Sequence, residues 1–225
     1  MSQKQDIFTV MGGMVKFYPS DYNPTSDAVW LGAFPKSAKC VLDVGIGNGG
    51  AALCYLAHNT KTVITGIDVS KTMLDQCYKN TQLNDKNIEL LNADIFNWKT
   101  NRTFDLVITN PPYFKGTPAK HGAHHNVNIS EWIESCIKRV RPRGYFCTII
   151  DSLVVSEVIS VLSKKFGEIT IFPLFGAKNT AERVLISARQ SVKGGTKLFS
   201  GLSMNYKPVL RDGLTIWEAL DTLHG

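Results

Sequence analysis

With 225 residues, 44% of them hydrophobic, the chain has room for one large α/β domain but not for two full ones. No apolar run approaches the ~18–20 residues needed to cross a bilayer. The polar Met1–Asp6 segment also lacks a signal-peptide core, so a cytoplasmic location without membrane attachment is expected. Five scattered cysteines (Cys40, Cys54, Cys77, Cys136, Cys147) without a C-x-x-C pair argue against a disulfide framework or a structural zinc site, and a net charge of +6 suits work on a polyanion.

In chain order, Phe8–Val10, Gly12-Gly13 and Met14–Phe17 predict a small hairpin, and Pro19–Pro24 a turn. A helix from Ala28 to Phe34 follows, capped by Ser26 or Asp27. Short apolar runs then alternate with segments of helical period, as in a parallel sheet covered by helices on both faces. The strands expected are Cys40–Val44, Thr62–Ile67, Ile88–Asn92, Asp105–Thr109, Tyr145–Ile150, Glu168–Pro173 and Arg183–Arg189. Ser70 caps a helix that carries Met73, Leu74, Cys77 and Tyr78 on one face. Ile129, Trp132, Ile133, Cys136, Ile137 and Val140 mark the clearest amphipathic helix, and Ser152 caps another over Leu153–Leu162. The connection Phe175–Ala181 is too short for a crossover helix, so the last two strands should pair antiparallel. Beyond Gln190 come a loop over 192–197 and a tail whose end, Thr215–Leu223, has helical character. The expected organisation is a hairpin-and-helix extension over 1–38, a catalytic domain over 39–191 and a packed tail over 192–225.

Four constellations carry chemistry. Asp43-Val44-Gly45-Ile46-Gly47-Asn48-Gly49-Gly50 leaves the first strand and opens a helix, where glycines permit a tight turn and free N–H groups face a ligand. Gly45, Gly47 and Gly50 satisfy the dinucleotide pattern G-x-G-x-x-G. However, Asp43 would repel a pyrophosphate and suits a cationic methionine moiety, and Gly49 completes D-x-G-x-G-x-G, which favours S-adenosylmethionine. Asp68, ending the second strand with Val69 beside it, is placed to accept from both ribose hydroxyls. Ala93-Asp94-Ile95 ends the third strand, where Asp94 suits an adenine amine and Ile95 the ring face.

The fourth constellation is Asn110-Pro111-Pro112-Tyr113-Phe114, directly after a strand. On these residues the chain resembles the amino-methyltransferases with an N/D-P-P-Y motif, which include adenine-N6, guanine-N2 and glutamine-N5 enzymes. The resemblance implies a class I S-adenosylmethionine-dependent methyltransferase fold: a Rossmann-like α/β domain with a seven-stranded sheet and an antiparallel last strand. It also implies catalytic roles for Asn110, Pro111, Pro112 and Tyr113. An exocyclic NH2 is a poor nucleophile because its lone pair is delocalised. Asn110 and the Pro111 carbonyl would accept its two hydrogens, and Tyr113 would stack on the planar substrate.

Resemblance to the bacterial valine-tRNA (adenine-N6)-methyltransferases that act in the anticodon loop, and to their small-domain relatives, extends along most of the chain. It covers the hairpin, Tyr22, Ser26–Leu31, Arg183–Ile186 and Leu210–Thr215. The sequence departs from that pattern at Ile46 and Asn48 in the glycine loop and at Ala188–Ser191. The resemblance implies a tRNA partner. A release-factor glutamine-N5 enzyme, with a protein substrate, is the nearest alternative, although only about 39 residues precede the first strand here. A guanine-N2 rRNA enzyme, an RNA-binding protein with an inactive fold and a nicotinamide oxidoreductase complete the alternatives.

Two further features bear on the partner. Lys138, Arg139, Arg141 and Arg143 cluster after the amphipathic helix. The segment 115–128 carries Lys115, Lys120, His121, His124 and His125, which read as a basic substrate-covering loop. No carboxylate or thiol ligand lies near those histidines, so no metal is expected.

Overall fold

The computed structural model describes residues 7–20, 24–112, 128–177 and 179–224; Tyr22, Tyr113, Phe114 and the lysines and histidines of 115–127 lie outside the described residues. In chain order the elements are β1 (Phe8–Val10), β2 (Val15–Phe17), α1 (Ser26–Ala33), β3 (Cys40–Val44), α2 (Gly50–His58), β4 (Val63–Asp68) and α3 (Lys71–Leu83). Next come β5 (Ile88–Asn92), β6 (Phe104–Thr109), α4 (Ile129–Ile137), β7 (Val140–Asp151), α5 (Val155–Leu162), β8 (Phe166–Phe175) and β9 (Ala181–Gln190). The tail adds β10 (Lys197–Leu198), β11 (Leu202–Ser203), α6 (Lys207–Leu210) and α7 (Ile216–His224).

The seven expected strands form one sheet in the order β8-β9-β7-β6-β3-β4-β5. Strands β3 to β7 run parallel, and β9 is antiparallel to both of its neighbours, β7 and β8. The strand order reverses at β3, and in open α/β sheets ligands bind at such a point, outside the carboxyl ends of the strands. The tail does more than the sequence suggests: β10 and β11 extend the β8 edge, each pairing parallel with it.

Both sheet faces are buried, and successive strand residues divide between two apolar clusters. Val41, Leu106 and Cys147 pack towards α1 and α2, whereas Leu42, Val107 and Phe146 pack towards α4 and α5. This double burial accounts for strands that are apolar at consecutive positions.

Several boundaries differ from the sequence reading. Thr25 stands at the α1 N-cap without a side-chain cap bond. Asp27 instead meets Arg183 at 3.1 Å. Tyr78 is exposed, and the buried face of α3 is Leu74, Cys77, Asn80 and Thr81. Val140 belongs to β7, because the Arg139 N–H closes the helix on Cys136 O and the Arg139 carbonyl accepts from Phe104 N (2.8 Å). The cap before α5 is Asp151, whose carboxylate accepts from Leu153 N at 2.9 Å, and a 3-10 turn over Ser152–Val154 precedes that helix. Ser70 caps α3 as expected, accepting from Met73 N at 3.3 Å. A reciprocal capping box starts α7: Glu218 accepts from Thr215 N (2.8 Å), and Thr215 Oγ1 accepts from Glu218 N (3.2 Å).

The β1–β2 hairpin is fastened to the domain by asparagines on α3. Asn84 accepts from Lys16 N (2.8 Å) and donates to Lys16 O (2.7 Å). Asn80, fully buried, accepts from Tyr18 N (3.0 Å) and donates to Asn48 O in the glycine loop (2.9 Å). Asn80→Ala would orphan two backbone groups at roughly 1–3 kcal/mol each. We expect a loss of about 2–6 kcal/mol in urea unfolding, and a variant as stable as the wild type would show that the hairpin is not held this way.

Candidate active site

The turn after β3 climbs to the switch point in a left-handed backbone: φ is 72° at Gly45, 55° at Gly47 and 88° at Gly49. Side chains rarely adopt that region, so glycine is what permits three such residues in five positions. The turn is anchored to the end of β4. Gly45 N and Ile46 N donate to Ile67 O at 2.9 and 3.0 Å. Gly47 N donates to Asp68 Oδ2 at 2.9 Å, while the other carboxylate oxygen accepts from Ser70 N at 2.9 Å. Ile46 fills the space over Gly66, where an added Cβ would lie 2.2 Å from its Cδ1. The departure at Ile46 therefore has a local partner.

A cleft of about 390 Å³ opens beside this turn, within the range of small-molecule sites. It brings together Gly45, Asp68, Val69, Ala93, Asp94, Ile95, Asn110 and Pro112 of the sequence-predicted set. Asp43, Gly47, Gly49 and Pro111 are not among the lining residues. Asp43 sits at the end of β3, only 2% exposed, and Gly49 caps α2. Tyr113 lies outside the described residues.

Asp94 also organises its own loop, accepting from Phe96 N (3.0 Å) and Asn97 Nδ2 (2.9 Å). A carboxylate has about four lone-pair sites, so Asp68 and Asp94 each retain capacity for a ligand donor.

Among the described residues two buried polar atoms here have no hydrogen-bond partner: Asn110 Oδ1, in a residue that lines the cleft, and Asp43 Oδ2, in one that does not. Buried acceptors are almost always satisfied, so the Asn110 oxygen suits a donor that a ligand brings. Burial pushes the Asp43 carboxyl up to about 8; the charge of Asp68 adds to the rise, and a hydrogen bond from the Ala52 backbone opposes it.

Sequence reasoning missed four lining residues, Val44, Ile67, Phe96 and Trp132. Trp132 stands edge-on to Phe96, with centroids 5.8 Å apart. Its Nε1 donates to Thr109 Oγ1 (3.0 Å), and Thr109, fully buried, donates in turn to Val44 O (2.9 Å). Thr109 precedes Asn110 and Val44 precedes Gly45, so this relay pins the tips of β6 and β3 together. Helical periodicity had assigned Trp132 to the core; its place in the first turn of α4 is what brings it to the cleft. Of the cysteines, Cys54, Cys77, Cys136 and Cys147 are buried free thiols, while Cys40 is exposed. Among the described residues no group of three His, Cys, Asp or Glu could hold a metal.

This geometry bears on stability at two positions. The folded pKa of Asp43 lies above its unfolded value of 3.8, so its contribution is fully present below pH ~4 and is lost as pH rises through about 8. Asp43→Asn should therefore raise the melting temperature of the ligand-free protein more at pH 7.5 than at pH 4; an equal shift at both would contradict a buried carboxyl with a raised pKa. Thr109→Val should cost roughly 1–3 kcal/mol, with Thr109→Ser recovering most of it, because the Val44 carbonyl and the Trp132 N–H lose their shared partner. Unfolding curves that do not distinguish valine from serine would remove the relay.

Comparison with known proteins places this geometry in context. Residues 25–173 match the family model described as Methyltransferase small domain. Relatives named tRNA1(Val) (adenine(37)-N6)-methyltransferase are 28% identical over 129 residues in Glaesserella parasuis (53% of this chain, 55% of the relative) and 26% over 191 residues in Proteus mirabilis (76% and 75%). A release factor glutamine methyltransferase of Rhodopirellula baltica is 38% identical over 110 residues, covering 46% of this chain and 32% of that relative. The match thus spans about half the length of the Glaesserella relative. Among solved structures, a predicted O-methyltransferase from Agrobacterium tumefaciens superposes with a TM-score of 0.66 at 20% identity, covering 83% of this chain and 96% of that one. The class I methyltransferase fold is shared, and the chain belongs to the methyltransferase small domain family.

Proposed function

We propose that this chain transfers a methyl group from S-adenosylmethionine to an exocyclic amine, and that the amine is adenine N6 of a tRNA. The observation that carries this reading is Asn110 Oδ1, a buried acceptor without a partner among the described residues, in a residue that lines the cleft. An amide oxygen so placed takes a hydrogen from a substrate NH2, with the Pro111 carbonyl taking the other. Drawing both hydrogens towards acceptors lets the nitrogen pyramidalise and frees its lone pair. No strong base is needed, because the amine's proton becomes acidic once the methyl group is attached.

The cleft fits the cofactor on its own features. The Asp68 carboxylate suits a cationic ligand bearing hydroxyls, and Asp94 with Ile95 suits an aminated ring. When bound, S-adenosylmethionine supplies an electrophilic methyl group on a sulfonium. Phe96 and Trp132 give the cleft an aromatic wall.

Adenine in tRNA is favoured because a relative with that name aligns with about three-quarters of this chain. Glutamine in a release factor is the second reading, supported by 38% identity over 110 residues in the Rhodopirellula relative.

The deciding experiment incubates the protein with methyl-labelled S-adenosylmethionine and, separately, tRNA, rRNA and a release-factor fragment. Label in adenine of tRNA is expected; label confined to the protein fragment would replace this reading with the second. Asn110→Ala should cut turnover by at least 10²-fold, on the scale of a lost transition-state hydrogen-bond partner, while calorimetric cofactor affinity stays within a few fold. Undiminished turnover would remove Asn110 from the mechanism.

A further inference from the structure

The cleft occupies one edge of the sheet, and the opposite edge has a charge character of its own. There, where the parallel strands begin and β9 ends, cations recur strand by strand: Lys39 before β3, Lys61 before β4, Lys86 before β5, Arg143 early in β7, Lys165 before β8 and Lys193 after β9. All but the half-buried Lys86 are exposed. Four carboxylates of this edge are already matched by other cations: Glu89 by Arg102, Asp105 by Arg141, Glu134 by Lys164 and Glu168 by Arg189; exposed Asp85, beside Lys86, forms no ion pair among the described residues. The six named cations form no ion pair among the described residues. From β5 to β8 the row crosses six strand spacings, about 29 Å at ~4.8 Å per spacing.

Helix macrodipoles explain part of this pattern, since a cation beside a helix C-terminus is stabilised. Lys61, Lys86 and Lys165 each lie three residues beyond a helix, α2, α3 and α5, in that way. Lys39, Arg143 and Lys193 lie six or more residues beyond the preceding helix; they sit at strand ends or in turns, and Arg143 is held at φ 64°. Among the described residues the cleft edge carries Asp43, Asp68, Asp94 and Asp151 beside one exposed cation, Lys71 at the start of α3, and Arg183 there is engaged by Asp27 and Asp151. The longer row of unpaired cations among the described residues lies on the far edge.

We infer that this row of cations is a docking surface for the phosphate backbone of a nucleic acid, contacting parts of the substrate remote from the methylated base. The inference rests on the nucleic-acid reading above but is tested by binding, which requires no turnover. The variant is Lys39→Gln, Lys61→Gln, Lys165→Gln and Lys193→Gln combined; the control is Lys16→Gln, Lys79→Gln, Lys197→Gln and Lys207→Gln, an equal charge change elsewhere. The probe is labelled unfractionated tRNA, titrated between 50 and 300 mM salt, with poly-glutamate as an acidic polypeptide.

The edge variant should bind tRNA at least tenfold more weakly at 150 mM salt. Its log-log salt slope should be shallower by about 3, at ~0.7–0.9 for each phosphate no longer neutralised. The control should stay within twofold of wild type, and calorimetric S-adenosylmethionine affinity should be unchanged in both. Equal loss in edge variant and control, or no loss in either, overturns the inference. So does a wild type that binds poly-glutamate through this edge but not tRNA, which would indicate an acidic protein partner. Intact tRNA binding without methyl transfer would instead count against the proposed reaction and leave the docking surface standing.

Discussion

Asp68 is the residue on which the site's shape depends. One of its oxygens holds Gly47 N and the other holds Ser70 N, so a single carboxylate fixes the turn after β3 and the start of α3 at once. The turn has a left-handed backbone at three glycines, and the conformational freedom of glycine must be overcome to keep it there. Charge-assisted hydrogen bonds to backbone N–H groups are stronger than neutral ones, which suits them to that task. Burial makes Asp43 behind it costly to ionise, and the same negative charge adds to that cost. Holding the loop and keeping Asp43 neutral are two consequences of one placement.

The surrounding architecture reinforces the turn from outside the sheet. Asn80 connects the loop carbonyl of Asn48 to the backbone of Tyr18, so the N-terminal hairpin and the glycine loop share one buried amide. On the far side of α1, Trp30 Nε1 donates to Met204 O (3.2 Å), and Trp217 Nε1 donates to Phe34 O (2.9 Å). Phe34, Phe172, Phe199 and Trp217 pack with centroid separations of 5.6–6.2 Å, which joins the tail to the core. Residues 1–38 and 192–225 thus contribute apolar side chains to the same cluster as β3 and β6.

Much of this was legible in the sequence wherever backbone chemistry constrains residue choice. The glycine spacing, the strand-terminal acids Asp68 and Asp94, and the short 175–181 connection were readable because few residues satisfy those geometries. What stayed hidden depended on competition between neighbours. Asp151 outcompetes Ser152 as a cap because β7 runs as far as Asp151 and leaves its carboxylate over the next N–H. Val140 continues the helical spacing of α4, yet the Arg139 carbonyl is taken by Phe104, and the chain enters a strand instead. Trp132 and Thr109 were invisible as site residues because a helical tryptophan and a strand threonine look like ordinary core. Only the register that puts Thr109 beside Val44 reveals the relay.

The division of charge between the two sheet edges follows from the topology. Parallel strands with crossover helices put helix N-termini at the cleft edge and C-termini at the other, so the macrodipoles favour acids on one side and bases on the opposite side. Strand β3 alone separates the edges by five residues, about 17 Å at ~3.3 Å per residue, roughly twice the ~8 Å Debye length at physiological salt. Salt therefore screens most of the interaction between exposed charges on the two edges, whereas the buried Asp43 is screened much less. One compact domain can thus present a cation site and a polyanion surface without either cancelling the other. A net charge of +6 is then compatible with carboxylates at the cleft.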